Sequence, residues 1–311
     1  MTEANINMKP ENNLEDYVAG WLSKSQPDAL ASILPALINE WRGHVQAVLF
    51  YGSCLKIGEL ENQVLDFYIL VDGYRTAYDS WLMAAANRIL PPNVFYREFD
   101  HDGRVLRCKV AVISLADFER RSRLRVSNIS VWARFSQPSA LVYSQNDESS
   151  ERVKRAIANC IRSMVSAALP AMSEDKGAEA LWVRALSLTY GAELRSEGAE
   201  AKAHERYENG REYYERLMPH LGDLSAMNEG PDKLEMPGRG FWFRRRVNGK
   251  IVSLLRLAKA VFTFDGGVEY LAWKIERHSG IKVELTAWQR RHPILSAPYL
   301  FIMLRRRGAF R

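Results

Sequence analysis

The chain has 311 residues, of which 47% are hydrophobic and 26% are charged. This length and composition predict one or two folded domains and exclude a disordered or fibrous protein. No apolar run approaches the roughly 18 residues that a membrane-spanning helix needs, and the polar, acidic N-terminus resembles neither a secretory signal nor a transit peptide. We therefore expect a cytoplasmic protein, unless it attaches to a membrane surface.

Charge and cysteine content narrow the choice of compartment and partner. Cys54, Cys108 and Cys160 are widely spaced and show no metal-binding pattern, which predicts a reducing compartment without disulfides or structural zinc. Pro237 to Arg311 hold 16 Lys/Arg against four acids, whereas residues 1–236 hold 27 against 33. A basic tail on an acidic body predicts a polyanionic partner, either nucleic acid or an anionic membrane face.

In chain order, a helical period over residues 14–43 comes first. Short β-rich runs and one helical stretch follow, separated by turn signals. The mixture predicts an α+β (α/β) domain with a mixed sheet that ends near residue 146. The runs are Val45–Tyr51, Val64–Val71, Val94–Phe99, Val105–Ile113 and Ala140–Tyr143, with the helix at Asp79–Ile89.

The rest of the chain is predicted to be helical. Residues 151–221 are rich in Ala, Glu and Arg, and residues 222–240 have the Gly, Pro and Asp of a linker. Residues 241–263 carry an apolar stripe among basic residues, which fits either core packing or a membrane face. We predict a sheet domain over 1–146, a helical domain over 147–236 and a basic amphipathic C-terminal region over 237–311.

The most informative motif is Tyr51-Gly52-Ser53 after an apolar strand, followed by a second strand that opens with Leu65-Asp66. Gly52 lacks a Cβ, so a phosphate group can approach the backbone, and Ser53 adds a hydroxyl and an N–H. Asp66 would hold Mg²⁺ against a triphosphate, since Mg²⁺ prefers carboxylate and phosphate oxygens. Nucleotidyltransferase-fold enzymes begin in this way, and we expect that fold.

The motif departs from the usual pair of acids on the second strand. Tyr68 stands where a second carboxylate would share the face of Asp66. Asp72 has the right parity, but six residues of straight strand place it about 20 Å away. Asp72 precedes Gly73 and is predicted to be a turn residue. Either one metal ion suffices or a second acid comes from elsewhere in the chain.

The chain resembles the mitochondrial-type phosphatidate cytidylyltransferases, the peripheral CDP-diacylglycerol synthases, over about residues 45 to 215. The resemblance lies in the runs FYGSCL, LDFYILVDGY, NVFYRE, CKVAVISLADF and WARFSQPSALVY. That family also has Tyr-Gly-Ser followed by a single strand acid. Asn93 and Tyr96 fall on its Asn-Pro-x-His-Tyr-Ser element, although the Pro and His are absent here.

The same resemblance supplies further candidate site residues. Lys109 falls on the family's Lys-Tyr-Gly-Val-Ile-Ser lysine, and Arg134 on its Gly-Arg-x-x-Lys-Pro arginine. Tyr190-Gly-Ala-Glu193-Leu-Arg195 resembles its Tyr-Ser-Gly-Asp-x-Arg, so that Glu193 becomes the candidate second metal ligand. Lys109 and Arg134 would offset phosphate charge, and Arg195 would orient Glu193 or bind an anion.

The resemblance implies transfer of CMP from CTP to phosphatidic acid, with Mg²⁺ as cofactor. This reaction would give CDP-diacylglycerol and pyrophosphate, and it is a step of phospholipid and cardiolipin biosynthesis. The expected partners are CTP, phosphatidic acid and the inner face of an anionic membrane, which the basic C-terminal region would contact. We expect no specific nucleic-acid partner.

Two other functions fit the sequence. One is a nucleotidyltransferase of the same fold that acts on a soluble acceptor. The other is a non-catalytic nucleic-acid-binding protein whose basic tail does the binding, with log K falling steeply with log salt. Each candidate site residue also has an alternative role without function. Lys109 would be a solvated lysine on an edge strand, Arg134 and Arg195 would be helix-surface arginines, and Glu193 would be a solvated acid.

Overall fold

A computed structural model describes residues 14–55, 63–172, 177–192, 198–222 and 240–263. In the C-terminal part it also describes 272–273, 275–276, 283–291, 296, 299, 302–303 and 306. The chain forms two compact units. One, here called the helical unit, comprises Met1–Gln26 and Leu115–Ser253. The other, the sheet unit, comprises Pro27–Ser114 and Leu254–Arg311. The domain boundaries placed at 146 and 236 stay predictions.

Helices and strands alternate along the first half of the chain, and helices dominate the second. The strands are β1 (Val45–Tyr51), β2 (Val64–Val71), β3 (Asn93–His101), β4 (Arg104–Ser114) and β5 (Ser139–Ser144). The first helices are α1 (Leu14–Leu22), α2 (Asp28–Asn39), α3 (Tyr74–Ala77), α4 (Trp81–Ile89), α5 (Leu115–Arg121) and α6 (Ser130–Phe135). The others are α7 (Asp147–Ala168), α8 (Ala178–Tyr190), α9 (Ala199–Leu217), α10 (Phe241–Thr263) and a short α11 (Ala287–Arg291).

The helical stretch predicted over residues 14–43 is two helices rather than one. α1 ends at Leu22, and α2 begins at Asp28, directly after Pro27. A proline has no N–H to donate and is favoured at the start of a helix, so Pro27 separates the two.

Four strands of the sheet unit lie in the order β3–β4–β2–β1. β1 pairs with β2 and β3 with β4 in antiparallel fashion, whereas β2 and β4 run parallel. The predicted fold class, α+β with a mixed sheet followed by helices, is confirmed. The order also corrects one alternative for Lys109, because β4 lies between two neighbours and is not an edge strand.

The middle of β2 and β4 is apolar on one face of the sheet. Leu65 and Phe67 of β2 and Cys108 and Val110 of β4 have no exposed surface. The ring centroids of Phe67 and Phe50 lie 5.3 Å apart. Because side chains alternate along a strand, the residues between them, Asp66 and Lys109 among others, project from the opposite face. This alternation leaves two polar side chains half-buried at one end of β2.

The helical unit packs α7, α8 and α9 around aromatic side chains. α7 begins with Asn146 as N-cap, whose side chain accepts a hydrogen bond from the Ser149 amide at 2.9 Å. Trp182 and Tyr214 are fully buried, with ring centroids 4.8 Å apart. None of the helices in the described ranges is both long and apolar enough to cross a bilayer.

Candidate functional site

The candidate site begins where β1 ends. Tyr51 is the last residue of β1 and pairs with Asp66 of β2. Gly52 follows with φ +98°, and the chain then enters a short 3₁₀ turn, Ser53–Leu55. A φ in this range strains any residue with a side chain, so the reversal after β1 favours glycine.

The carboxylate of Asp66 lies against Gly52. A Cβ built on Gly52 would be 2.9 Å from Asp66 Oδ2 and 3.5 Å from its Cβ. A side chain on residue 52 would therefore push the Asp66 carboxylate out of this position. The structure therefore brings together the glycine and the aspartate of the sequence motif, and Asp66 is half-buried rather than sealed in the core.

A row of side chains crosses the sheet from this point. Asp66 pairs with Lys109 of β4, and Lys109 pairs with Tyr96 of β3. Paired residues on neighbouring strands share a face and lie about 5 Å apart. The row therefore places the lysine next to the carboxylate and the buried tyrosine next to the lysine. We call Gly52, Ser53, Asp66, Lys109 and Tyr96 the turn site.

Two residues that the sequence did not single out extend this row. Tyr96 donates its hydroxyl hydrogen to Glu98 Oε1 at 2.7 Å, and Arg107 Nε lies 3.4 Å from the same oxygen. Burial, reinforced by Glu98, raises the pKa of Tyr96. The Arg107 guanidinium also lies 5.3 Å from the centre of the Trp273 ring. Glu98 and Arg107 have the same parity along β3 and β4 as Tyr96 and Lys109. This alternation is the one feature of the sequence that could have identified them as neighbours of the site.

Cys54 fixes the turn from inside. It is buried, and its thiol donates to Gln63 Oε1 at 3.3 Å and to the Val64 carbonyl at 3.4 Å. These bonds tie the turn after β1 to the start of β2, so Cys54 is a packed structural residue. The side chain of Ser53 lies outside the described residues.

Asn93 is a structural residue at the start of β3, three residues before Tyr96. Its backbone N–H donates to Asn87 Oδ1 at 2.7 Å, and its Nδ2 donates to the Met83 carbonyl at 3.1 Å. Lys259 Nζ donates to Asn93 Oδ1 at 3.0 Å. The buried amide thus holds β3 to α4 and α10.

Asp72 has the turn role that its position before glycine predicts. It accepts a hydrogen bond from Thr76 Oγ1 at 2.7 Å, and its Oδ2 lies 2.7 Å from His44 Nδ1. Burial alone would raise the pKa of Asp72, but the hydrogen bonds from His44 and Thr76 outweigh it and lower that pKa. Its partners are therefore structural, and the carboxylate is committed to the start of α3.

Of the remaining predicted residues, the structure describes only Arg134. Arg134 lies in the last turn of α6, in the helical unit, and is half-buried. Glu193 and Arg195 fall outside the described residues. Among the residues that the structure does describe, no group of three or more His, Cys, Asp or Glu side chains is arranged to hold a metal ion.

Comparison with known proteins shows a distant structural likeness. No protein-family model matches the sequence, and no curated protein matches it. A solved structure of a nucleotidyltransferase-like protein from Exiguobacterium sibiricum is similar to the chain, with 11% sequence identity and a TM-score of 0.28. The similarity covers 90% of this chain and 92% of that one. With a TM-score this low, the likeness does not support a particular function.

Proposed function

We propose that this protein is a nucleotidyltransferase that joins CMP from CTP to phosphatidic acid, giving CDP-diacylglycerol and pyrophosphate. The observation that carries the proposal is the contact between Gly52 and Asp66, in which the aspartate Oδ2 lies 2.9 Å from where a Cβ on residue 52 would be. A carboxylate beside a glycine that begins a turn suits a metal-bound phosphate chain.

The backbone of the turn provides the anion-binding part of the proposal. A left-handed residue followed by a 3₁₀ turn directs successive N–H groups into one concavity, which favours phosphate oxygens. Gly52 has φ +98° and Ser53–Leu55 form such a turn. We assign the triphosphate of CTP to this concavity, with the Ser53 hydroxyl as a further ligand.

Mg²⁺ fits the donor set at Asp66. Magnesium is commonly held by one or two protein carboxylates together with substrate phosphate oxygens. Asp66 is half-buried and lies beside the turn that we assign to those phosphates. We therefore propose Asp66 as a metal ligand, with Glu193 as the second. When bound, the ion neutralises charge on the triphosphate.

The proposed reaction needs little proton transfer. A phosphate oxygen of phosphatidic acid forms a bond to the α-phosphorus of CTP, and the bond from that phosphorus to the bridging oxygen breaks, so pyrophosphate leaves with the electron pair. A phosphate monoester is already anionic at neutral pH, so alignment and charge neutralisation supply the catalysis. Lys109 adjoins Asp66 across the sheet and is assigned to a phosphate, with Arg134 and Arg195 in similar roles.

The lipid substrate implies a membrane surface. Phosphatidic acid sits in a bilayer, and each Lys or Arg near an anionic bilayer contributes about 1 kcal/mol to binding. Residues after Glu284 include six arginines and no acid. We propose that this basic C-terminal region helps attach the protein to the cytoplasmic face of the membrane, and that deleting residues 285–311 weakens that attachment.

The test uses radiolabelled CTP, Mg²⁺ and phosphatidic-acid liposomes, with CDP-diacylglycerol as the measured product. Asp66→Asn should lower the rate by about 100-fold or more, the scale of losing one main electrostatic contact to the reacting phosphates. Asp72→Asn is the matched control, because Asp72 lies just past the other end of β2 with His44 and Thr76 as its partners. It should keep a rate within a few-fold of wild type.

Three results would overturn the assignment in different ways. Equal CTP consumption with and without lipid would indicate a soluble acceptor. Failure to use any nucleotide, with salt-sensitive binding to RNA or DNA, would indicate a nucleic-acid-binding protein. Equal rates for wild type and Asp66→Asn would remove Asp66 from the mechanism.

A further inference from the structure

Helix α10 exposes a stripe of large apolar side chains. At about 100° per residue, its members lie within about 120° of one another around the helix. Phe243 is 69% exposed and Leu254 is 63% exposed. The stripe consists of Phe243, Val247, Ile251, Leu254 and Leu255.

The other side of α10 is held in place by polar anchors in each unit. In the helical unit, Trp242 Nε1 donates to the Ala167 carbonyl at 3.0 Å, and Arg245 Nη2 donates to the Leu124 carbonyl at 2.7 Å. In the sheet unit, Arg256 and Lys259 make the corresponding contacts. The anchored side is therefore fixed, and the apolar stripe is the side left to face outward.

Helix α4 of the sheet unit shows the same pattern on a smaller scale. Ile89 is 80% exposed, Trp81 64% and Leu82 60%, although all three are large apolar residues. They fall within about 100° of one another around the helix. On the opposite side Ala84 and Asn87 are buried. Arg88 is the one polar residue among the exposed residues of α4, whereas a helix in water normally has a polar outer face.

One clamp joins the end of α4 to the sheet-unit part of α10. Lys259 Nζ donates to the carbonyls of Leu90 at 2.5 Å and Pro92 at 2.7 Å, and Arg256 Nη2 donates to the Pro91 carbonyl at 2.6 Å. Leu90 directly follows the exposed Ile89, and Arg256 directly follows the exposed Leu255. These hydrogen bonds therefore hold the end of α4 against the sheet-unit part of α10.

The charges around these stripes are positive. Arg244, Arg246 and Lys250 of α10 are exposed, as is Arg88 of α4. The sequence has no acid between residues 236 and 264. Asp79, which precedes α4, is paired with Arg42 Nη1 at 2.9 Å. On each of the two helices, exposed apolar side chains therefore lie beside exposed basic ones. This combination is complementary to the interface of an anionic bilayer, where Trp side chains are enriched.

We infer that the exposed apolar faces of α4 and of the sheet-unit end of α10 insert into the headgroup region of an anionic phospholipid bilayer. This surface deepens the proposed function, on which it rests for the presence of a lipid substrate. It is separate from the basic residues after Glu284, because it acts through buried apolar area as well as through charge. Trp81, Leu82, Ile89, Leu254 and Leu255 are the residues assigned to the bilayer.

Vesicle flotation of the full-length protein without nucleotide tests this surface. Vesicles of phosphatidylcholine mixed with phosphatidylglycerol present anionic charge but no phosphatidic acid, so binding there does not depend on the catalytic site. Wild type should float with these vesicles and less with phosphatidylcholine alone. The double variants Trp81→Ser/Ile89→Ser and Leu254→Ser/Leu255→Ser should each lower the partition coefficient about 10-fold or more, because each loses apolar area from the contact.

Val105→Ser is the matched control, since Val105 is also an exposed apolar residue of the sheet unit, at 43%, but lies on β4. It should float like wild type, and so should Asp66→Asn. Equal flotation of both double variants and wild type would overturn the inference. So would a wild-type dimer, seen by size-exclusion chromatography, that the double variants dissociate while no vesicle binding occurs. Flotation without CMP transfer would instead overturn the proposed function alone.

Discussion

The two faces of β2 and β4 differ in what they contain, although the same strands carry both. One face presents Phe67 and Val110, which have no exposed surface. The other presents Asp66 and Lys109, which are half-buried and paired across the strands. Period-two alternation alone separates them, because successive side chains point to opposite sides. A single backbone thus holds a stabilising core on one side and candidate chemistry on the other.

The two faces of β2 differ in burial only at the start of the strand. From Tyr68 to Val71 of β2 the residues on both faces are buried, and the Tyr51 and Tyr68 ring centroids lie 5.6 Å apart. Only the start of β2, beside Gly52, leaves a carboxylate within reach of solvent. Substitutions on the two faces should therefore separate stability from activity.

The largest expected effect is on the apolar face. Phe67→Ala should lower the free energy of unfolding by about 3–5 kcal/mol, the usual loss for a buried aromatic residue in a core. Denaturant titration measures this. CMP transfer per folded molecule should stay close to that of wild type, and a specific loss of transfer at full folding would contradict the separation of the faces.

A smaller effect is expected at Gly52. Gly52→Ala adds a Cβ at positive φ, which costs about 1–2 kcal/mol, and places it 2.9 Å from Asp66 Oδ2. Both unfolding free energy and CMP transfer should fall. Gly43→Ala is the control, because Gly43 also has positive φ but nothing within 4 Å of a built Cβ. Gly43→Ala should lose stability alone, and a similar loss of transfer there would argue against the contact with Asp66.

Lys259 is a partly buried polar residue of the sheet unit that lies outside the turn site, and it provides a contrast with Asp66 and Lys109. Burial, followed by the nearby Arg256, lowers the pKa of Lys259 from 10.5 to about 7. Between these values the folded protein binds fewer protons than the unfolded chain, so stability due to Lys259 rises with pH from about 7 to about 10.5. Wild type should gain stability over Lys259→Met across that window in thermal unfolding. Lys250→Met, which removes an exposed lysine from the same helix, is the matched control.

Local patterns predicted the strands of the turn site well. β1 and β2 were expected at Val45–Tyr51 and Val64–Val71 and are found there. The contact between Gly52 and Asp66 follows from two adjacent antiparallel strands joined by a loop. Such short-range features depend on neighbouring residues, so one sequence suffices to predict them.

The sequence did not predict features that depend on pairing between strands that are distant along the chain. Lys109 adjoins Asp66 only because β4 pairs in parallel with β2, and Glu98 joins the row only through the β3–β4 register. The outward position of the α4 stripe depends on how Asn87 and Lys259 hold that helix. A hydrophobic pattern predicts a helix but not which of its faces the rest of the chain covers.

Binding of Mg²⁺ and CTP to the turn site is the central claim, and thermal unfolding measures it most directly. With Mg²⁺ present, CTP at about 100 times its Kd should stabilise the wild-type protein by about 2.7 kcal/mol, seen as a rise in Tm. Asp66→Asn should lose that rise while unfolding at a similar Tm without nucleotide. An equal rise in Tm for wild type and Asp66→Asn would contradict the claim.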